Sequence, residues 1–155
     1  MTAEEAKNKL TERFGFLASR IVVQRERRLT AETDYRNFAE IFDYAVNSMK
    51  FSILCTITGL DEGERLTFIY HLADESGAIF NLKTSAPKSD PVIKTVMNYF
   101  PAAEIYEREL IDLLGAKIDG MPEGKRYPLP DDWPKDQYPL RKDWKQPPQK
   151  EGNCQ

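Results

Sequence analysis

Prolines near the C-terminal end constrain the fold of this chain more than any other feature. Seven of the ten prolines fall between Met121 and Pro148. Because proline fixes φ and lacks a backbone donor, helix interiors and central strands are disfavoured in this segment, which is predicted to be extended. It nevertheless carries four large aromatic rings, which are rare in disordered segments. These are Tyr127, Trp133, Tyr138 and Trp144. We expect another protein chain to receive them.

Composition limits the classes of protein that this chain can belong to. A length of 155 residues indicates one domain with a core of its own, and the net charge of −3 argues against a nucleic-acid partner. No stretch approaches the ~18 apolar residues that span a bilayer, and the acidic, polar N-terminus differs from a signal peptide. We therefore expect a cytoplasmic protein.

Cysteine and histidine usage predicts no cofactor in this chain. Cys55 and Cys154 are far apart, and His71 is the only histidine, so neither an iron-sulfur cluster nor a zinc site is expected. No glycine-rich phosphate loop occurs. Cys55 is expected to be a small core residue. His71 is expected to be buried or interfacial, with satisfied hydrogen bonds, rather than catalytic.

Apolar periodicity and capping residues predict four helices. A first helix is expected over residues 2–13, and the spacing of apolar residues over 34–49 is that of one helical face. A short helix is expected over 91–99 because proline suits a first helical turn. A fourth runs over 102–115 and ends at a glycine.

Alternating residues predict three consecutive strands. In the first, Phe51, Ile53, Cys55 and Ile57 share one face, and two further alternating runs follow over 66–72 and 78–84. A strand also starts near Ile21. The fold class that follows is α+β, with an antiparallel three- to four-stranded sheet covered by helices. We place a compact domain at 1–119 and an extended, proline-rich tail at 120–155.

The helix over 102–115 carries a dense set of charges. Glu104, Arg108 and Asp112 are four residues apart and can form a stripe along one face. Glu109 falls beside the apolar stripe, where an unpaired carboxylate is costly, so we expect it to pair with a basic residue. The candidates are Arg126, Arg141 and Lys142.

Three groups of residues resemble the signature of the respiratory-chain 30 kDa subunit family. The first group is Tyr106, Glu107, Arg108, Glu109, Asp112 and Gly115. The second is Pro130, Asp131, Asp132 and Trp133. The third is Pro139, Leu140, Arg141, Lys142, Asp143 and Trp144. The family includes the C-type subunit of NADH:quinone oxidoreductase and small relatives in membrane-bound, energy-converting nickel-iron hydrogenases. The chain departs from the family pattern at Leu114, Ala116 and Met121.

The resemblance implies a non-catalytic accessory subunit of a membrane-bound oxidoreductase, with the signature residues at subunit interfaces. The tail would dock on a large, hydrogenase-like catalytic subunit, beside a small iron-sulfur subunit. Iron-sulfur clusters, and nickel-iron in a hydrogenase, would belong to those partners. The membrane arm would be reached only through the complex, on the cytoplasmic face of the cell membrane. The short length and the tail motif favour the hydrogenase branch, in which electron transfer is coupled to ion translocation.

Three other interpretations stay open. The chain could be the C-type subunit of an NADH- or ferredoxin-linked quinone oxidoreductase, or an assembly chaperone for the large subunit. From a different class, it could be a free-standing enzyme that uses Glu107, Glu109 or Asp112 as acid and base. The charge-dense helix is more typical of a salt-bridged surface than of such a site.

Overall fold

Three helices cover one face of a five-stranded sheet in the computed structural model, which describes residues 1–146. The helices are α1 Ala3–Arg13, α2 Tyr35–Asp43 and α3 Ala103–Leu114. The strands are β1 Ile21–Arg25, β2 Arg28–Asp34, β3 Ile53–Asp61, β4 Arg65–Ala73, β5 Ile79–Pro87, β6 Val92–Lys94 and β7 Lys117–Asp119. This arrangement confirms the α+β class. Pro147, Pro148 and Cys154 lie outside the described residues.

The large sheet has the strand order β1-β2-β5-β4-β3. Strands β3, β4 and β5 form the predicted antiparallel meander. Strand β2 was not predicted; it pairs antiparallel with β1 and parallel with β5, and thereby widens the sheet to five strands. Strands β6 and β7 form a separate parallel pair beside it.

The core lies between this sheet and the helices. The alternating residues of β4, from Leu66 to Leu72, are buried on the helix-covered face, as predicted. Two rings of α2 pack against the central strand: Phe38 and Phe42 lie 4.6 and 5.6 Å from the Tyr70 ring. These contacts fix α2 over the sheet.

Helix ends agree with the capping signals. The Thr2 side chain accepts from the Glu5 amide and the Glu5 carboxylate accepts from the Thr2 amide, which is a capping box. Helix α2 continues as a π-helical turn over Tyr44–Ser48, so its predicted length is confirmed. Helix α3 ends at Gly115, whose φ of 72° is the left-handed conformation that glycine adopts readily.

Two local predictions are wrong. The helix expected over 91–99 is instead the strand β6 followed by turns, because Val92 and Ile93 are β-branched and pair with β7. Cys55 is exposed rather than in the core, since the register of β3 shifts between Leu54 and Thr56 and this irregularity turns the side chain outward.

Gly59 allows α3 to lie directly on β3. A Cβ atom at this position would collide with the side chains of Leu110 and Leu114, so a larger residue would push the helix away. Within residues 1–146, no helix is both long enough and apolar enough to cross a bilayer.

Candidate subunit interface

The signature helix α3 presents opposite sides to the body and to the tail. Ala103, Glu107, Leu110 and Leu114 face the body and are buried, and the Tyr106 hydroxyl donates to the Cys55 carbonyl at 3.2 Å. Residues 120–146 run over the other side without helix or strand. The backbone there is irregular and turns several times, so the expected extended conformation of the whole tail stays a prediction.

Glu107 is fully buried beneath the turn that follows β6. Its carboxylate accepts hydrogen bonds from the Thr95 hydroxyl at 2.6 Å and from the Val96 amide at 2.8 Å. Burial raises the pKa of Glu107 above its ordinary value, and these two hydrogen bonds oppose the rise. Tyr70 lies nearby; burial and the Glu107 charge raise the pKa of its hydroxyl. Glu107 therefore joins α3 to the segment after β6.

Arg108 and Asp112 hold the first part of the tail. Arg108 pairs with Glu104 at 2.8 Å, as the spacing predicted, and also donates to the carbonyls of Pro122 and Lys125. The Asp112 carboxylate lies 3.4 Å from Arg126 and accepts from the Leu129 amide at 3.2 Å. Asp112 thus serves the tail rather than the predicted stripe with Arg108.

The predicted pairing of Glu109 is wrong within residues 1–146. None of the salt bridges formed within these residues includes Glu109. The Arg126 side chain contacts Asp112 and the Arg141 side chain contacts the Leu114 carbonyl, whereas Lys142 reaches Asp61 only through its backbone amide. Glu109 is half-buried, whereas Glu107 is the carboxylate that faces the core. The prediction failed because Ile105 does not anchor the apolar stripe; it is 54% exposed.

The middle of the tail packs directly against Gly115. A Cβ atom here would lie 2.6 Å from the Tyr138 ring, so the ring packs directly on the glycine. The Arg141 guanidinium stacks over the Tyr138 ring at 4.7 Å and donates to the Leu114 carbonyl at 2.7 Å. The Leu140 amide also donates to the Leu113 carbonyl at 3.0 Å. The C-terminal end of α3 and the tail thus satisfy each other's backbone groups.

A second anchor lies at the turn between β3 and β4. The buried Asp61 carboxylate accepts from Lys88 at 2.7 Å, and from the amides of Lys142 and Gly63 at 2.8 Å. Lys88 also binds Asp143 at 2.6 Å. Burial alone would raise the pKa of Asp61, but these donors outweigh it and lower the pKa to about 2. Salt bridging to Lys88 lowers the pKa of Asp143 as well.

The two tryptophans close the tail into a loop. Their rings lie 6.0 Å apart, and both indole nitrogens donate to Gln137, Trp133 to its carbonyl and Trp144 to its side chain. The Trp133 carbonyl in turn accepts from Arg126 at 2.6 Å. Trp133, Tyr138 and Trp144 therefore contact their own chain. These three rings are half-buried, so only part of their surface is left for another protein to bind.

Several signature residues of the tail are exposed to solvent. Asp131, Asp132, Lys142 and Asp143 are exposed, as is Pro130, while Pro139 is half-buried. Leu140 and Tyr127 are 54% and 48% exposed, which is high for large apolar side chains. The same stretch of tail is thus anchored to the body through backbone amides and some side chains, while other side chains, such as Tyr127 and Leu140, stay exposed.

The three carboxylates of the enzyme hypothesis do not converge. At about 100° per residue, Glu107 and Glu109 lie on opposite sides of α3. Glu107 points into the core, and Asp112 is engaged by Arg126 and Leu129. A cleft of about 110 Å³ lies beside Asp112, between α3 and residues 124–127, but Glu107 and Glu109 do not line it.

His71 behaves as predicted for a residue with satisfied hydrogen bonds. It is half-buried on the open face of the sheet, 3.0 Å from the Thr58 hydroxyl and 2.9 Å from the Asn81 side chain. The Asn81 side chain donates to the Thr30 hydroxyl, which in turn donates to the Gln24 side chain. Side-chain hydrogen bonds thus cross all five strands.

Three anchoring residues were not predicted from the sequence: Asp61, Lys88 and Gln137. Asp61 lies next to a turn, where aspartate is common for local reasons, and no sequence signal links it to a segment 81 residues away. Among residues 1–146, no group of three histidine, cysteine or acidic side chains is placed to hold a metal ion.

Comparison with known proteins agrees with the family resemblance of the signature residues. The sequence matches the family described as respiratory-chain NADH dehydrogenase, 30 Kd subunit, over residues 29–150. The C-type subunit of the F(420)H(2) dehydrogenase of Methanosarcina mazei is 32% identical over 147 residues, covering 93% of this chain and 92% of that protein. The membrane-bound hydrogenase subunit beta of Pyrococcus furiosus is 34% identical over 93 residues, covering 57% of this chain and 54% of that protein.

The fold recurs in a solved complex. A chain in the structure of the membrane-bound sulfane sulfur reductase, an archaeal respiratory membrane complex, superimposes with a TM-score of 0.76 at 29% identity. The match covers 92% of this chain and 85% of that one, so it includes part of the tail as well as the body.

Proposed function

The chain belongs to the respiratory-chain NADH dehydrogenase 30 Kd subunit family, and from this premise we propose that it is a non-catalytic scaffold subunit of a membrane-bound, multisubunit oxidoreductase. Relatives of this chain are named as subunits of membrane-bound respiratory or hydrogenase complexes. Its role in such a complex would be to hold a large catalytic subunit in position through α3 and the tail.

One observation supports this role above all. The tail is fixed to the body through Asp61, Asp112 and Gly115, yet it keeps Tyr127 and Leu140 exposed. Large apolar side chains on a segment that is already fixed in place form a suitable docking surface, because little conformational entropy remains to be lost on binding. The signature residues thus fit an interface better than a reaction centre.

The partners in this proposal are the large catalytic subunit and a small iron-sulfur subunit. These partners would hold the iron-sulfur clusters, and nickel-iron if the assembly is a hydrogenase. The chain would sit peripherally on the cytoplasmic side of the membrane and reach the membrane arm only through its partners.

Two branches of the family are candidates. The hydrogenase branch, favoured by the tail motif, stays a prediction and is supported by the relative from Pyrococcus furiosus. The dehydrogenase branch is favoured by the extent of the alignments. This chain aligns with 92% of the length of the F(420)H(2) dehydrogenase relative but with only 54% of the hydrogenase relative.

Purification of the native assembly through this chain separates these branches. We expect iron in either case, together with a large subunit that is retained through size exclusion. Nickel and hydrogen-dependent reduction of a dye would assign the hydrogenase branch. Absence of nickel, with activity towards F(420)H(2) or NADH, would assign the dehydrogenase branch. Recovery of the chain without any metal-containing partner would contradict both.

A further inference from the structure

A groove between α2 and β6, lined by none of the residues that anchor the tail, has no role in the function proposed above. Its wider part, about 340 Å³, lies between the start of α2 and β6. A narrower part of about 80 Å³ continues along α2 towards Tyr99. Both parts share Phe38, Ala39 and Lys94, so they form one elongated channel.

Large apolar side chains stand around this groove. Tyr35 and Val92 flank the wide end and are 52% and 39% exposed, and Tyr99 flanks the narrow end at 36%. Exposed apolar residues that cluster around one concavity are typical of interaction sites, whereas isolated ones are ordinary.

The groove runs along the edge of β6 rather than over one of its faces. Successive side chains of a strand point to opposite faces, yet the consecutive residues Val92, Ile93 and Lys94 all line it. Among the described residues, β6 is bonded to β7 alone. Its second edge therefore offers unpaired backbone groups to another extended chain.

The groove is positively charged. Arg36 and Lys94 line it, and neither takes part in an ion pair within residues 1–146. The N-terminus of α2 opens here without a side-chain cap, because the Asp34 carboxylate lies 3.3 Å from Arg20 instead. Asp119 is the one carboxylate among the lining residues.

A buried hydroxyl at the floor also lacks a partner. Thr84 is 2% exposed and lines the groove, and its hydroxyl has no hydrogen-bond partner in the part of the chain that the structure describes. A buried polar group without a partner is uncommon in folded proteins, so the floor of the groove differs from an ordinary packed core.

We propose that this groove receives an extended segment of a partner subunit, which adds as a strand to the second edge of β6. The segment places an apolar side chain over Phe38 and an acidic residue against Arg36, Lys94 and the α2 N-terminus. The channel shape and the strand edge favour a polypeptide over a compact small molecule. The proposal rests on the chain being a subunit of a complex, and it adds a second contact, separate from the tail anchors.

Photo-crosslinking in the purified assembly tests this directly. Tyr35 is replaced by p-benzoylphenylalanine, and Phe16, an exposed aromatic residue outside the groove, is replaced in a matched control. We expect the Tyr35 variant to crosslink several-fold more strongly, to one partner polypeptide. The crosslinked peptide should carry an acidic residue beside an apolar one.

The failure of this proposal is distinguishable from failure of the proposed function. An assembly that purifies intact without a crosslink at Tyr35, or with a crosslink only inside this chain, would overturn the groove contact alone. Hydrogen exchange on the unmodified assembly gives an independent readout. The amide of Lys94 should be protected relative to the free chain, and equal exchange in both would also overturn the contact.

A charge variant tests the acidic partner. Replacing Arg36 and Lys94 by glutamine should lower the salt concentration at which the segment is released, as followed by crosslinking at Tyr35. Arg25→Gln, at an exposed arginine outside the groove, is the control and should leave that salt concentration unchanged. An equal shift in both variants would contradict an acidic occupant.

Discussion

The buried carboxylate of Asp61 accepts a hydrogen bond from the backbone amide of Lys142 at 2.8 Å, across 81 residues of sequence. Lys88 completes this contact by binding both Asp61 and Asp143. The turn between β3 and β4 is thereby tied to Lys142 and Asp143 of the tail. This part of the tail therefore owes some of its order to contacts with the body of its own chain.

Replacing Asp61 should release the tail at Lys142 and Asp143. One carboxylate oxygen accepts from Lys88 and Lys142 and the other from the Gly63 amide, so the asparagine amide in either orientation leaves at least one donor without an acceptor, at a cost of about 1–3 kcal/mol. Both tryptophans of the chain lie in the tail, so their fluorescence reports the tail, whereas far-ultraviolet circular dichroism reports the body. We expect the fluorescence transition in urea to move to lower urea than the dichroism transition.

A matched control exists for this variant. Asp90 binds Lys117 at the same 2.7 Å distance, but both side chains are more than half exposed. Asp90→Asn should cost less than about 1 kcal/mol, because exposed ion pairs contribute little. Equal effects of the two variants would show that Asp61 does not anchor the tail.

The contribution of Asp61 to the free energy of unfolding should decrease as the pH falls. Its pKa is lowered from 3.8 to about 2, so the folded state favours the ionised form, and the stability that this provides is present above 3.8. It is lost as the pH falls towards 2. The difference in unfolding free energy between the wild type and Asp61→Asn should therefore be constant near neutral pH and shrink in acid. A difference that grows in acid would contradict this assignment.

Gly115 should tolerate no side chain. Gly115→Ala places a Cβ atom 2.6 Å from the Tyr138 ring, at a φ of 72° that costs an L-residue about 1–2 kcal/mol. We expect a loss of about 1–3 kcal/mol in the urea unfolding free energy. Trypsin should also cleave faster after Arg141. Gly15→Ala is the control, since no atom lies within 4 Å of its Cβ position, and it should change neither quantity.

Glu107 should destabilise the fold when it ionises. Burial raises its pKa above the ordinary 4.5, so stability is greatest below that value and declines as the pH rises through the folded-state pKa. Glu107→Gln can still accept one hydrogen bond and should flatten this decline while remaining folded. The surface variant Glu123→Gln should keep the wild-type slope. A steeper decline in Glu107→Gln would contradict a buried, proton-favouring site.

Long periodic elements were predictable from the sequence. The apolar spacing of α2 and the alternation from Leu66 to Leu72 each have one satisfactory arrangement, since a change of register would expose the core. The capping of α1 by Thr2 and the glycine after α3 were equally readable, because both signals are local. These features were sufficient to predict the α+β class.

The features that failed depend on distant partners. Whether Val92 starts a helix or a strand depends on β7, which lies 25 residues later in the paired register. The exposure of Cys55 follows from a one-residue shift against β4, which alternation alone does not reveal. The burial of Glu107 rather than Glu109 depends on which side of α3 meets Gly59. The signature residues could be recognised, but their contacts with Asp61 and Lys88 could not.

The proposed scaffold role depends on this chain being held in an assembly. Native mass measurement of the complex, isolated through an affinity tag on this chain at its natural level of expression, tests that claim most directly. We expect one copy of the chain with a large subunit, iron-containing partners and membrane subunits. Recovery of a stable 17.9 kDa monomer, free of any metal-containing partner, would contradict the scaffold role.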